Sequence, residues 1–368
     1  MKKITIILPT LGGGGAEKLH VNLANYWSSK KYLLEIILLR GDAENGVLIP
    51  LLSSNIKVVN LNTLRMRDSI LPLVNKISMS ESDILITAMW PLTSIVVISW
   101  ILSGKKGKLF LSEHESLSLA YSNISKFKYT LLKKLIQFTY PKSNGIITVS
   151  EGLKKDLSDL GNISNKLIRV IFNPTSNIKL KNTLEVMPRE PSWNPNSAFK
   201  ILSVGRLTPE KDHLTLIKAF SQMPKELNIN LVILGEGSMR PLLEELIISN
   251  NLSDRVFLPG YQLDPNPWYK SADLFVLSSI REGFGNVIVE ALEHGVPIVS
   301  TNCPSGPAEI LENGRYGKLV PVKDTHALAN AMLESLKETH SHEDLKNRAK
   351  DFSVEKISEE YLEYFFHN

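Results

Sequence analysis

Two carboxylates, Glu282 and Glu290, stand with seven residues between them in the run Ser279-Ile280-Arg281-Glu282-Gly283-Phe284-Gly285-Asn286-Val287-Ile288-Val289-Glu290-Ala291. An apolar, strand-like run over 274–277 leads into a turn carrying Glu282 and two glycines. A helix beginning near Asn286 then brings Glu290 in about one turn later. A strand, a glycine turn and a helix N-terminus in that order make a place where backbone N–H groups face an anion. Carboxylates repel an anion. Their presence therefore points to a ligand that joins a phosphate to hydroxyl-rich sugars, whose O–H groups need acceptors.

The cations such a ligand needs lie in Gly205-Arg206-Leu207-Thr208-Pro209-Glu210-Lys211, at the end of another strand-like run. Arg206 can grip a diphosphate as a planar fork and Lys211 as a point charge, and both can neutralise a leaving group as its bond breaks. Gly235-Glu236-Gly237 follows a further strand and precedes a helix started by Pro241; close nucleotide approach and a plain turn both explain its glycines. At Gly260 and Tyr261 the next strand ends, and backbone groups there can meet a base edge. Near the start, Gly12-Gly13-Gly14-Gly15 follows the first strand and opens a helix, so a phosphate or acceptor can come close at Gly14 and Gly15. Its spacing departs from G-x-G-x-x-G, which argues against a nicotinamide dinucleotide. His114, in Ser112-Glu113-His114-Glu115, closes a strand and could contact a sugar hydroxyl, stabilise developing positive charge at the anomeric carbon, or act as a structural hydrogen-bonding group.

These segments need strands to carry them. Runs at 4–8, 34–39, 56–61, 84–88, 109–112 and 146–149 are mostly apolar rather than alternating, as in parallel strands covered on both faces. Amphipathic stretches such as 16–29 and 125–138 separate them, which is a βαβ series. Pro174, Pro188, Pro191 and Pro195 interrupt the rhythm. A second series follows at 200–204, 230–234, 256–258, 274–277 and 298–300. The reading is α/β: two Rossmann-like doubly wound domains facing across a cleft, with ligands at the strand C-terminal ends. Residues 1–175 form the first domain, 176–197 a linker and 198–351 the second domain. Residues 352–368 form a terminal helix with aromatic anchors that returns to the first domain.

Composition narrows the class further. A chain of 368 residues, 43% hydrophobic and 22% charged, reads as an ordinary globular protein of two domains. A net charge of +4 is mild and does not point to a nucleic-acid protein, in which a concentrated basic face is expected. The single cysteine, Cys303, excludes a disulfide framework and thiolate metal sites, and fits a reducing compartment. The N-terminal apolar run ends at Pro9, too short for a signal peptide, and 92–102 is too short to span a bilayer. The stretch 125–138, Ser-Lys-Phe-Lys-Tyr-Thr-Leu-Leu-Lys-Lys-Leu-Ile-Gln-Phe, is basic and amphipathic, suited to an anionic membrane surface or to packing on the core.

Taken together, the run 281–291, its continuation Gly295-Val296-Pro297-Ile298-Val299-Ser300-Thr301, the Gly205-Arg206 pair with Lys211, Gly235-Glu236-Gly237 and the early glycine run resemble the retaining glycosyltransferases of family 4, with the GT-B fold. The segment 302–311 resembles bacterial members that build surface polysaccharides and lipid-linked oligosaccharides. The resemblance implies a UDP-linked hexose or N-acetylhexosamine as donor and a lipid-linked glycan as acceptor. It implies Arg206 and Lys211 on the diphosphate, Glu282 on donor-sugar hydroxyls, and backbone amides of Gly283, Phe284, Gly285, Asn286 and Val287 on the sugar and phosphate. Glu290 would take the ribose hydroxyls and His114 would stand beside the donor sugar. Gly14 and Gly15 would lie against donor phosphate and acceptor, and Gly235, Gly260 and Tyr261 near the nucleotide. No metal or cofactor is implied, and the mechanism is a front-face substitution in which the leaving phosphate helps deprotonate the acceptor. A cytoplasmic location, peripheral on the inner face of the plasma membrane, follows. Two other readings fit the same residues: a soluble acceptor, or a silent subunit that binds nucleotide sugar. Arg65, Arg67 and Lys76, read as lying on one helix of the first domain, are further candidates for an acceptor diphosphate.

Overall fold

The computed structural model describes residues 1–41, 46–174, 193, 197–262 and 264–367. Most of the predicted linker over 176–197 lies outside the described residues. Two compact units divide the chain: Met1–Thr183 with Phe352–Asn368, and Leu184–Asp351.

In the first unit the strands are β1 (Lys3–Leu8), β2 (Leu33–Leu38), β3 (Lys57–Asn60), β4 (Ile84–Ala88), β5 (Lys108–Glu113), β6 (Gly145–Thr148) and β7 (Ile168–Val170). They form one parallel sheet in the order β3-β2-β1-β4-β5-β6-β7. The apolar runs, which do not alternate with polar residues, have a direct cause. Ile6 and Leu8 of β1, Ile36 and Leu38 of β2 and Ile86 of β4 enter a core on one face. Their neighbours Ile7, Ile37 and Leu85 enter a separate core on the other. With both faces covered, no position alternates to water.

The helix Val354–His367 belongs to this unit. It adds Ile357, Tyr361, Leu362, Tyr364 and Phe365 to the core around β1 and β2. Fully buried Trp27, on the helix Gly15–Ser29, meets the rings of Tyr361 and Phe365 and donates its indole N–H to the Ser358 carbonyl at 3.1 Å.

The strands of the second unit are β8 (Phe199–Val204), β9 (Ile229–Leu234), β10 (Val256–Gly260), β11 (Leu274–Leu277), β12 (Ile298–Thr301) and β13 (Lys318–Val320). They run parallel in the order β10-β9-β8-β11-β12-β13. Both sheets thus step outward from their first strand in one direction and then jump to its other side, between β1 and β4 and between β8 and β11. At such a reversal the flanking loops diverge and leave a crevice at the strand C-termini. Strands β7 and β13 were not expected from the sequence. They are three-residue edge strands, Ile-Arg-Val and Lys-Leu-Val, too short and too polar to form an apolar run.

Sequence reasoning set core packing against surface binding for the basic stretch 125–138. The helix Lys126–Thr139 packs on the core through Leu132, Ile136 and Thr139, which are buried, and leaves Phe127, Leu131 and Phe138 exposed. Among the described residues no helix is long and apolar enough to cross a membrane.

Candidate active site

The loops after β8 and β11 flank the switch point of the second sheet, and they carry the predicted cation and carboxylate. Lys211 Nζ lies 2.5 Å from Glu282 Oε1, and the Ser279 hydroxyl donates to the same oxygen at 2.7 Å. Both charged side chains are largely covered, 18% exposed for Lys211 and 9% for Glu282. Backbone contacts join the loops: the Ile280 N–H donates to the Glu210 carbonyl at 2.9 Å and the Ser278 hydroxyl to the Lys211 carbonyl at 2.9 Å. The two residues read from the sequence as holding different parts of a ligand therefore also hold each other. Arg206 is 76% exposed and only loosely paired with Glu210 at 3.5 Å, so its guanidinium can swing onto an incoming anion.

Glu290 lies on the helix Asn286–Glu293, which starts at Gly285 with φ +105°, a backbone state that glycine enters without a Cβ penalty. Its Oε2 accepts from the Tyr269 hydroxyl at 2.9 Å. Tyr269 is fully buried, and burial together with the Glu290 charge drives its pKa well above the usual phenol value. It stays protonated and donating, and so orients the Glu290 carboxylate. The tyrosine carries no signal in the sequence, standing 21 positions from its partner.

The glycines of the second unit have an internal cause. A Cβ on Gly235 would stand 2.0 Å from the Gly205 carbonyl oxygen, and one on Gly237 2.3 Å from that of Leu207. The close approach weighed for a nucleotide is thus made by the loop that carries Arg206 and Lys211. Gly260 closes the row: the Gly235 N–H donates to its carbonyl at 3.0 Å. Next to it Tyr261 presents a ring 62% exposed.

In the first unit the glycine run and His114 stand at the C-terminal ends of β1 and β5. Glu17, in the first turn of its helix, reaches back so that Oε2 accepts from the N–H groups of Gly13 at 2.8 Å and Gly14 at 2.7 Å. The Thr10 hydroxyl donates to its other oxygen. This is half of a capping box, a spacing legible in the sequence and overlooked there. The anion facing these amides is the chain's own carboxylate. A phosphate drawn to Gly14 would meet that charge first.

His114 Nε2 lies 2.9 Å from the Ser112 hydroxyl, and its ring meets the edge of His20 at a centroid distance of 5.6 Å. Burial lowers the pKa of His114 to about 3 and that of His20 to about 4. Both rings are neutral near pH 7, so His114 can share a hydrogen bond with a hydroxyl but brings no charge. Beside it, Glu113 is buried at the end of β5, and burial raises its pKa to about 7 against hydrogen bonds from Tyr140 and Thr93. Of the three cations suggested for an acceptor diphosphate, Lys76 is committed to Glu35 at 2.9 Å, which also faces Lys3 and Lys57 at 3.3 Å each. Arg65 and Arg67 lie at a short 3₁₀ turn, Met66–Ser69, rather than on the helix. Among the described residues no cluster of three or more His, Cys, Asp or Glu could hold a metal ion.

Paired charges and a glycine-opened helix at the switch point of a doubly wound sheet, in a chain that carries a second doubly wound unit, are the features of a nucleotide-binding type of α/β protein. Comparison with known proteins agrees. A family model described as glycosyltransferase family 4 matches residues 13–176, and one described as glycosyl transferases group 1 matches residues 189–352. One relative is 31% identical over 265 residues, 71% of this chain and 70% of its own. It is the N-acetylgalactosamine-N,N'-diacetylbacillosaminyl-diphospho-undecaprenol 4-alpha-N-acetylgalactosaminyltransferase of Campylobacter jejuni. A second protein of that organism, an alpha-1,4-N-acetyl-D-galactosaminyltransferase acting on a GalNAc-GalNAc-diNAcBac-PP-undecaprenol, is 26% identical over 98% of both chains. Among solved structures, Anabaena HepE in complex with UDP superimposes with a TM-score of 0.79 over 100% of both chains at 21% identity, a likeness of fold alone. The chain belongs to the family 4 glycosyltransferases, with the GT-B fold. It is a transferase of glycosyl groups.

Proposed function

We propose that the chain is a retaining transferase that moves a hexose or N-acetylhexosamine from a UDP-linked donor to a growing, lipid-linked bacterial surface glycan. The observation that carries this reading is the Lys211–Glu282 pair at the β8/β11 switch point, with the Tyr269-anchored Glu290 on the helix that follows. A donor diphosphate would draw Lys211 and Arg206, releasing Glu282 from its ion pair to accept from sugar hydroxyls. Glu290 would take the ribose hydroxyls, which suits an acceptor fixed by a tyrosine. The two carboxylates both belong to binding, so bond cleavage depends on positioning and on cationic stabilisation of the leaving diphosphate. No cofactor or metal is called for, since Lys211 and Arg206 supply positive charge. In the first unit, neutral His114 would serve a sugar hydroxyl.

The lipid-linked acceptor is supported by the Campylobacter relatives, whose own acceptors are undecaprenol-linked, and by the helix Lys126–Thr139. At roughly 100° per residue, Phe127, Leu131, Lys134 and Phe138 fall within about 60° of one another, opposite buried Leu132 and Ile136. Phe127 is 79% exposed, Leu131 57% and Phe138 62%. Lys126, Lys128 and Lys133 flank that stripe and the helix has no acidic residue, a combination suited to the interface of an anionic bilayer. The protein would then work peripherally at the cytoplasmic face of the plasma membrane.

A panel of UDP-, GDP- and ADP-sugars assayed for hydrolysis and transfer tests the donor, with the anomeric configuration of the product read by NMR. Hydrolysis of UDP-sugars with retention is the expected result, and Glu282→Ala should lower turnover by about 100-fold or more with the fold intact. Wild-type turnover in that variant would remove Glu282 from the site, and UDP binding without any turnover would favour the silent subunit. In flotation with vesicles rich in anionic lipid, the protein should rise with the lipid, and a Phe127→Ser/Phe138→Ser variant should stay behind. Absence of wild-type flotation would leave a soluble acceptor as the better reading.

A further inference from the structure

Glu282 is held at two points by two different elements. Its carboxylate is fixed by Lys211 and Ser279, while its backbone carbonyl accepts from the Ser305 hydroxyl at 3.0 Å. Ser305 lies in the loop after β12 and is 6% exposed, so this bond is shielded from water. The last residue of β12 and the same loop each touch the turn once more. Thr301 Oγ1 donates to the Ser279 carbonyl at 2.5 Å, and Gly306, at φ +90°, sits so close that a Cβ would lie 1.7 Å from the Phe284 carbonyl oxygen. The turn thus has its carbonyls at 279, 282 and 284 laid against residues 301, 305 and 306. A turn containing Gly283 and Gly285 has little conformational preference of its own, so this second loop acts as its mould.

We propose that Ser305 is a positioning residue of the donor site, an inference that rests on the transferase reading above. In a trans peptide the C=O and N–H of one unit point to opposite sides. Holding the Glu282 carbonyl on the Ser305 loop therefore aims the Gly283 N–H away from that loop. A donor sugar arriving at the switch point would find the Glu282 carboxylate, on the residue whose peptide plane Ser305 fixes, already held in place. Because the serine hydroxyl spends its proton on the Glu282 carbonyl, it acts on the donor through the turn and not as a nucleophile.

The experiment compares the full-length wild type with Ser305→Ala and Ser305→Thr, which keeps a hydroxyl. It measures kcat and KM for the best UDP-sugar, uridine affinity, and amide hydrogen exchange over 279–290. Ser305→Ala should lower kcat on the order of tenfold, leave uridine affinity within about twofold, and speed exchange within that segment only. Ser305→Thr should recover most of both effects. A kcat within about twofold of wild type, or a loss of uridine affinity as large as the loss of kcat, overturns the proposal. So does unchanged exchange. Should the wild type turn over no nucleotide sugar, the transferase reading falls by itself, and the exchange comparison still decides whether Ser305 shapes the turn.

Discussion

At the scale of single residues, the Lys211–Glu282 ion pair gives each group a partner in the absence of donor and a reason to exchange it when one arrives. Lys211 is mostly covered and Glu282 more so, so neither is well hydrated, and leaving either uncompensated is costly. A diphosphate offers Lys211 two charges for one, while a sugar offers Glu282 the hydroxyl donors it then needs. Lys211→Ala should accordingly weaken UDP binding about tenfold or more, a charge-assisted hydrogen bond being worth about 1.5–3 kcal/mol. Uridine affinity should change little, as titration calorimetry of both ligands will show; equal losses would remove Lys211 from the diphosphate. Residue types and strand-end placement made these two groups legible in the sequence. That they meet was not legible, since 71 positions separate them, and neither were Tyr269 and Ser305, ordinary residues that matter only through what they touch.

At the scale of elements, mostly apolar runs announced eleven of the thirteen strands among the described residues, because a parallel strand covered on both faces has few positions open to water. The edge strands β7 and β13 lack that cover and its signature. The C-terminal helix shows what packing adds. Its aromatic residues suggested anchoring, and in the structure Tyr361 and Phe365 enclose Trp27. Trp27→Ala should destabilise the first unit by about 3–5 kcal/mol, read as a lower midpoint in chemical denaturation, with the second unit's transition unmoved. Matching midpoints for variant and wild type would mean the helix is dispensable to that core. In the second unit Arg348 performs a comparable task with polar groups. It donates to the carbonyls of Glu309 and Ile310 at 2.9 Å each and pairs with Glu312 and Asp351 at 3.0 Å, anchoring the short helix that follows Gly306.

For the molecule as a whole, buried histidines couple stability to pH. Burial lowers His20 to about 4, His114 to about 3 and His213 to about 3. Unfolded, each takes up a proton near pH 6.5, so between that pH and the folded values the unfolded chain binds more protons and stability falls as pH falls. Glu113, raised to about 7 by burial, has the opposite sign, because it stays protonated in the fold up to that pH and stabilises the acid side. Three histidines against one carboxyl leave the histidines dominant above pH 4.5. Thermal midpoints should therefore drop from pH 7 to pH 5, with about 2 kcal/mol attached to fully buried His20. His20→Asn should flatten the slope in calorimetry, and an unchanged slope would show that His20 titrates normally in the fold.

The sequence by itself determined the α/β class, the two Rossmann-like series and the residue types that face a nucleotide sugar. Each of these follows from local chemistry: which side chains tolerate burial, which backbones can turn, which groups carry charge at a strand end. Tertiary structure alone decided who meets whom. It placed Glu17 on the amides of Gly13 and Gly14, gave the room at Gly235 to the Gly205 carbonyl, and set Ser305 behind Glu282. The reason is physical. Contacts between loops of different strands depend on strand order and register, and in a parallel sheet those are settled only once the crossovers have packed.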